Sequence, residues 1–186
     1  MPNWVDNTLT ITGEKTRIAE VRAQLEKELK DEGNFLWNIV HPKPEEMEDY
    51  KSVVGTGGKS LTDSTSWYAW NIRHWGTKWD GSDVQIIEEE EQDVSYTFNT
   101  AWSPPTPAII TLSEQYPDLE ITLRFVEEQG WGGEGLYKAG VETVLDEWDI
   151  PNSHEEKMRA QGYCNCESYD DEEYWYDDCP REKVGA

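Results

Sequence analysis

Apolar and polar residues alternate at the start of the chain, with Val5, Asn7, Leu9 and Ile11 on one side and Thr8, Thr10 and Thr12 on the other. That two-residue period predicts a half-buried β-strand, ended by Gly13. From Glu14 to Glu32 the period lengthens, placing Ile18, Val21, Leu25 and Leu29 on one helical face, with Gly33 where a helix is commonly closed. A short strand is expected at Phe35 to Trp37, stopped by His41-Pro42-Lys43-Pro44. The grammar then recurs. Val94, Tyr96 and Phe98 alternate against Thr97 and Asn99, and Ser103 and Pro104 offer an N-cap and first position for a helix carrying Ile109, Leu112 and Tyr116. Leu119, Ile121, Leu123 and Phe125 then alternate as a further strand.

Two strand–helix–strand units in series predict an α+β fold of the ferredoxin-like, split βαβ kind, an antiparallel sheet with two helices on one face. Ile18, Val21, Leu25, Ile109, Leu112 and Leu123 should share its core. The expected organisation is a domain over 1–147, with an insertion between the two units at about 41–82, and an acidic, aromatic tail over 148–186. Within the insertion, Trp67 and Trp70 have helical spacing and Asp83 to Ile87 reads as an extra strand. A hairpin is expected from Leu136 to Leu145, and a helical turn around Glu155 to Ala160.

Composition changes the picture in two respects. The 186 residues carry a formal charge of -23, from 39 acids and 16 bases, together with 10 Trp and 9 Tyr. Disordered chains are highly charged but poor in aromatics, so this chain folds. No basic stripe exists to neutralise phosphates, which argues against direct nucleic-acid binding and against docking to an anionic membrane. The segment Met1 to Asp6 has neither the basic nor the apolar stretch of a leader, and the three Cys fall late in the chain. A cytoplasmic location is the expectation.

Three strings are distinctive together: Met1-Pro2-Asn3-Trp4 with Asn7 and Ile11-Thr12-Gly13; Trp75-Gly76-Thr77-Lys78-Trp79-Asp80; and Phe98-Asn99-Thr100-Ala101-Trp102-Ser103-Pro104-Pro105. Over roughly residues 1 to 140 the chain resembles the YubB-type ferredoxin-like family of plasmids, phages and other mobile elements. The resemblance implies the fold and a mobile-element origin, in a bacterial host, and brings no catalytic residues with it.

Candidate chemistry is sparse. Gly55-Thr56-Gly57-Gly58-Lys59-Ser60 imitates a phosphate-binding loop, but Val53 stands where its first glycine belongs, so it reads as a plain loop. His154, Cys164, Cys166 and Cys179 number enough for a structural zinc site. The Cys-x-Cys spacing is tighter than usual, and free thiols with no metal and no cofactor are expected. Trp70, Arg73, His74, Trp75, Lys78 and Trp79 could line a pocket for a flat ligand such as a nucleotide signal, although Trp fills cores more often than pockets.

The acids carry the leading functional expectation. Residues 142 to 186 hold fourteen acids against four bases, and Glu88, Glu89, Glu90 and Glu91 form a second dense run. A charge of magnitude ~2–8 suffices for the solubility of a small domain, so the excess needs another explanation. Asp170, Asp171, Glu172, Glu173, Asp177 and Asp178 surround Tyr174 and Trp175, a mixture of charge and anchors suited to a protein interface. The expected function is non-enzymatic: an acidic, nucleic-acid-mimicking surface that binds and inhibits a host defence protein with a basic nucleic-acid-binding surface. The alternatives are sequestration of a nucleotide in the Trp-rich region, and an accessory structural role with a solubilising surface.

Overall fold

The structure, a computed structural model, describes residues 2–27, 29–30, 33–46, 66–164, 166 and 176–180. Six strands form one sheet: β1 Trp4–Thr12, β2 Ser82–Glu89, β3 Asp93–Ala101, β4 Glu120–Glu127, β5 Gly132–Lys138 and β6 Val141–Trp148. Their order is β2-β3-β1-β4-β5-β6, and every neighbouring pair is antiparallel. The described helices are α1 Lys15–Leu25, α2 Trp67–His74, α3 Thr106–Gln115 and α4 His154–Gln161, with a 3₁₀ turn at Leu36–Asn38.

Register explains the alternation. Leu9 faces Tyr96 on one neighbour and Leu123 on the other, and Ile11 faces Val94 and Ile121. Cross-strand partners share a face, so these residues form one apolar layer. Ile18, Val21 and Leu25 of α1 and Ile109 and Leu112 of α3 pack into it, as the helical spacing predicts. Thr8, Thr10 and Thr12 point to the other side, against Thr97, Ser95 and Asp93.

The first unit is built differently from the sequence expectation. Phe35 to Trp37 is not a strand: Leu36–Asn38 is the 3₁₀ turn, and Phe35 and Leu36 are both buried. The Asp80 carboxylate accepts hydrogen bonds from the N–H groups of Phe35, Leu36 and Trp37, so these donors are met by a side chain instead of a ladder. The second strand of this unit is β2, expected only as an extra strand. The long insertion therefore lies inside the first unit, between α1 and β2. Helix α1 ends at Leu25, short of Glu32, and Leu29 still packs on the core. Ser103 does not cap α3; Pro105 occupies that position without a side-chain bond, Pro104 precedes it, and the Ser103 hydroxyl donates to Gly76 O at 2.5 Å.

The hairpin of β5 and β6 turns through Ala139 and Gly140, both at positive φ, the backbone that tight hairpins need. Beyond it the chain folds back. Arg124 Nη2 donates to Ala160 O at 2.8 Å, Arg159 pairs with Asp146, and Tyr176 Oη donates to Pro151 O at 3.0 Å. Among the described residues, no helix is long and apolar enough to cross a membrane.

Candidate functional site

The two edge strands share a device. On β2, Ile86 pairs with Tyr96 and Glu88 with Ser95, which leaves Ile87 as the extra residue of a bulge, 55% exposed. On β6, Val144 pairs with Gly135 and Asp146 with Glu134, leaving Leu145 as the extra residue, 53% exposed. Bulges at sheet edges re-aim side chains and end pairing. Both bulged aliphatics sit among carboxylates: Glu88 and Glu89 at the end of β2, with Glu90 and Glu91 in the turn that follows, and Glu142, Asp146 and Glu147 on β6. Val141 and Val144 are also exposed.

The glutamate run is not uniformly free. Glu89 accepts from Arg22 Nη1 at 2.7 Å and Glu91 from Lys15 Nζ at 2.5 Å, both exposed pairs to α1. Glu88 and Glu90 are exposed beside them. On β6, Glu142 accepts from Tyr137 Oη at 2.7 Å. Of the tail residues expected in the interface, Asp177 and Asp178 form an exposed turn, and Asp178 accepts the His154 N–H at 2.7 Å. That backbone bond holds the Asp178 carboxyl below its usual range. Asp170, Asp171, Glu172, Glu173, Tyr174 and Trp175 lie outside the described residues, as does the Gly55 to Ser60 string. Ile87 and Leu145, the aliphatic members of this surface, enter the sequence reading only as the ends of an expected strand and hairpin, not as surface residues. Their signal is present there: Ile86-Ile87 and Val144-Leu145 are adjacent apolar pairs, and a regular strand cannot bury both members of such a pair on one face.

The Trp-rich set divides. Trp70 and Trp75 are core residues, 8% and 3% exposed, with Trp75 Nε1 donating to Val40 O at 2.8 Å. His74 stacks on Trp70 with ring centroids 4.4 Å apart, and burial pulls its pKa down. Arg73 is exposed on α2. Beyond Gly76, Lys78 and Trp79 belong to a different place. Trp79 stacks with Trp102 at 6.1 Å and lies 6.3 Å from Trp4, while Lys78 Nζ sits 4.4 Å over the Trp79 ring and 4.9 Å over Trp102. This exposed platform is where the three distinctive strings meet. Trp102 N–H donates to Asn3 O at 2.9 Å, and Thr77 Oγ1 donates to Ala101 O at 3.0 Å. Asn7 Nδ2 donates to Thr100 Oγ1 at 2.9 Å. Trp102 takes a φ of 67°, a left-handed backbone rare for a bulky residue and held here by these bonds.

The third constellation comes from the C-terminal segment. His154 opens α4 behind the Ser153 N-cap, and Gly162, in the left-handed conformation, closes the helix and reverses the chain. Cys164 and Cys166 are thereby carried back to His154, and a turn brings Cys179 to the same point. Cys164 Sγ lies 3.6 Å from Cys179 Sγ, and His154 Nδ1 lies 3.6 Å from Cys166 Sγ and 3.7 Å from Cys179 Sγ. All four candidate ligand atoms fall within 4.8 Å of one another. Burial and the neighbouring thiols push Cys166 up to about 12. Burial acts upward on Cys164 too, but hydrogen bonds from the Cys166 N–H and His154 outweigh it and hold that thiol below its ordinary value. The expectation of free thiols without metal rests on the linear Cys-x-Cys spacing, which says nothing of side chains brought together by a helix start and a distant turn.

The family model described as "Ferredoxin-like domain in Api92-like protein" matches residues 74–167, from the end of α2 to just past Cys166. The match therefore runs beyond residue 140, where the sequence resemblance was expected to end, and takes in α4. The crystal structure of the protein Api92 from Yersinia pseudotuberculosis resembles this one with a TM-score of 0.55, at 10% identity, over 81% of this chain and 99% of Api92. At that identity the likeness is one of fold. No curated protein matches the chain.

Proposed function

Since the chain belongs to the family of the ferredoxin-like domain in Api92-like protein, a fold that by itself assigns no chemistry, we propose from its surface that it is a non-enzymatic protein-binding module. Its partner is a host protein with a basic, nucleic-acid-binding surface, which it occupies and blocks. The observation that carries this reading is the pair of bulges, each turning an aliphatic residue outward among carboxylates, Ile87 beside Glu88 to Glu91 and Leu145 beside Glu142 and Glu147.

Charge supplies steering and register, and desolvated apolar residues hold the complex. Side chains alternate between the two faces of an extended strand, so Glu88 to Glu91, at the end of β2 and in the turn after it, present carboxylates to more than one side where a phosphate-binding partner would otherwise meet the backbone of duplex DNA. The exposed pairs of Glu89 with Arg22 and Glu91 with Lys15 are worth about 0–1 kcal/mol each and can be exchanged for a partner's Lys or Arg at little cost. The resemblance to YubB-type domains of plasmids and phages supports reading the partner as a host defence protein. The small-ligand alternative has less behind it, because Trp70 and Trp75 are committed to the core.

The test is affinity capture from host lysate, followed by binding kinetics with the identified partner. Duplex DNA should compete, and affinity should fall steeply as salt rises. Glu88→Gln with Glu90→Gln should slow association, while Ile87→Ser should speed dissociation by about tenfold. A partner that holds nucleic acid and this protein at the same time, with an affinity indifferent to salt, overturns the reading.

A further inference from the structure

We propose that His154, Cys164, Cys166 and Cys179 bind one zinc ion in a closed tetrahedral site that fastens the residues after α4 to the start of that helix. This is independent of the binding function above.

Three of the six ligand–ligand distances match the ion, and all six lie within 4.8 Å. Tetrahedral zinc with Zn–S of ~2.3 Å and Zn–N of ~2.0–2.1 Å sets its ligand atoms ~3.8 Å apart for two sulfurs and ~3.6 Å apart for sulfur and nitrogen. The cluster has 3.6 Å between Cys164 Sγ and Cys179 Sγ, and 3.6 and 3.7 Å from His154 Nδ1 to Cys166 and Cys179 Sγ. A disulfide needs its sulfurs ~2.05 Å apart, so the cysteines are not arranged as a bonded pair. Three thiolates and an imidazole are the soft donor set that selects zinc among common divalent ions. Four protein ligands fill the tetrahedron and leave no position for substrate, which makes the site structural.

Packing gives the segment a need for such a fastener. None of the described residues from 149 onward belongs to the main core. Their own cluster consists of buried Cys164 and Cys166, with Met158, Tyr176 and Cys179 against it. Among the described residues this is a small apolar cluster, and small units with such a core commonly rely on a metal. Binding displaces the thiol protons, so affinity should decline at acid pH.

The experiment uses the full chain purified from zinc-supplemented medium without chelator. Elemental analysis should return one zinc per chain, and cobalt(II) substituted for it should show thiolate-to-metal charge transfer and the d–d bands of tetrahedral coordination. All three thiols should resist a thiol reagent until a chelator removes the metal. Cys179→Ser and His154→Ala should each lower zinc content, with the far-ultraviolet circular dichroism of the sheet retained, because both side chains lie outside the main core. Metal-free protein with reactive thiols overturns the proposal. So does a Cys164–Cys179 disulfide without metal, stoichiometric iron in place of zinc, or a full zinc equivalent retained by Cys179→Ser.

Discussion

Asp80 ties two distant pieces of chain through one carboxylate. It accepts the N–H groups of Leu36 at 2.6 Å, Trp37 at 3.0 Å and Gly81 at 2.6 Å, with a longer bond from Phe35. Removing the acceptor leaves these donors short of a partner, and each buried unsatisfied group costs about 1–3 kcal/mol. Asp80→Ala should therefore destabilise by about 2–4 kcal/mol in urea titration. Burial raises the Asp80 pKa, and the backbone bonds pull it down without winning. A carboxyl whose folded pKa lies above its unfolded value contributes stability that is full below the unfolded pKa and is lost as pH rises through the folded one. Asp80→Asn cannot titrate, so the advantage of the natural residue over Asn should shrink as pH rises from about 4 towards 7. A gap that widens over that range would refute this assignment of the pKa. The sequence shows Asp80 at the end of a distinctive string, but nothing in its neighbours announces that residues 35 to 37 will come to it. For Cys179 and His154 the sequence offers the residue types but not the geometry: they stand 25 positions apart, with Sγ and Nδ1 separated by 3.7 Å.

Elements were legible in proportion to how asymmetrically they are buried. Strands β1, β3 and β4 each bury one face against helices, and that asymmetry is the alternation visible along the chain. The apolar stripes of α1 and α3 are read for the same reason. Leu25→Ala tests the α1 stripe: Leu25 is fully buried, and truncation should cost about 2–5 kcal/mol and lower Tm by roughly 5–15 °C. An unchanged Tm would mean that α1 packs with another face. Strand β2 reads only as an accessory because it is an edge; after Val84 its residues are exposed on both sides, and no period survives. Phe35-Leu36-Trp37 misleads in the opposite sense. A run of three apolar residues fits a strand or a tight turn equally well, and only Asp80, far along the chain, decides between them. The Cys-x-Cys spacing says little for a related reason, since it measures one local pair among four residues that a helix start and two turns bring together.

At the scale of the whole molecule, the acids act on folding and on binding with opposite salt dependence. A charge of -23 repels itself in the compact state. Local ion pairs oppose this, including Arg17 with Asp118, Arg22 with Glu26 and Glu89, and Lys15 with Glu91. Exposed pairs are worth about 0–1 kcal/mol each, and 16 bases cannot offset 39 acids, so repulsion dominates the net field. Salt shortens the reach of that field to about 8–10 Å at physiological strength and to about 3 Å at 1 M. The free protein should accordingly gain stability with salt, at about 2–4 °C in Tm for each kcal/mol of repulsion relieved. The complex with a basic partner should weaken over the same range, because the charges that repel one another within the chain attract across the interface. Thermal melts and binding titrations on one salt series would therefore show opposite slopes. If Tm fell with salt, attractive pairs would be governing the fold and the excess acid would not be free to act outward. A rising Tm beside a salt-independent affinity would leave the acids as a burden on the fold with no part in binding, and the acidic edges would lose their function.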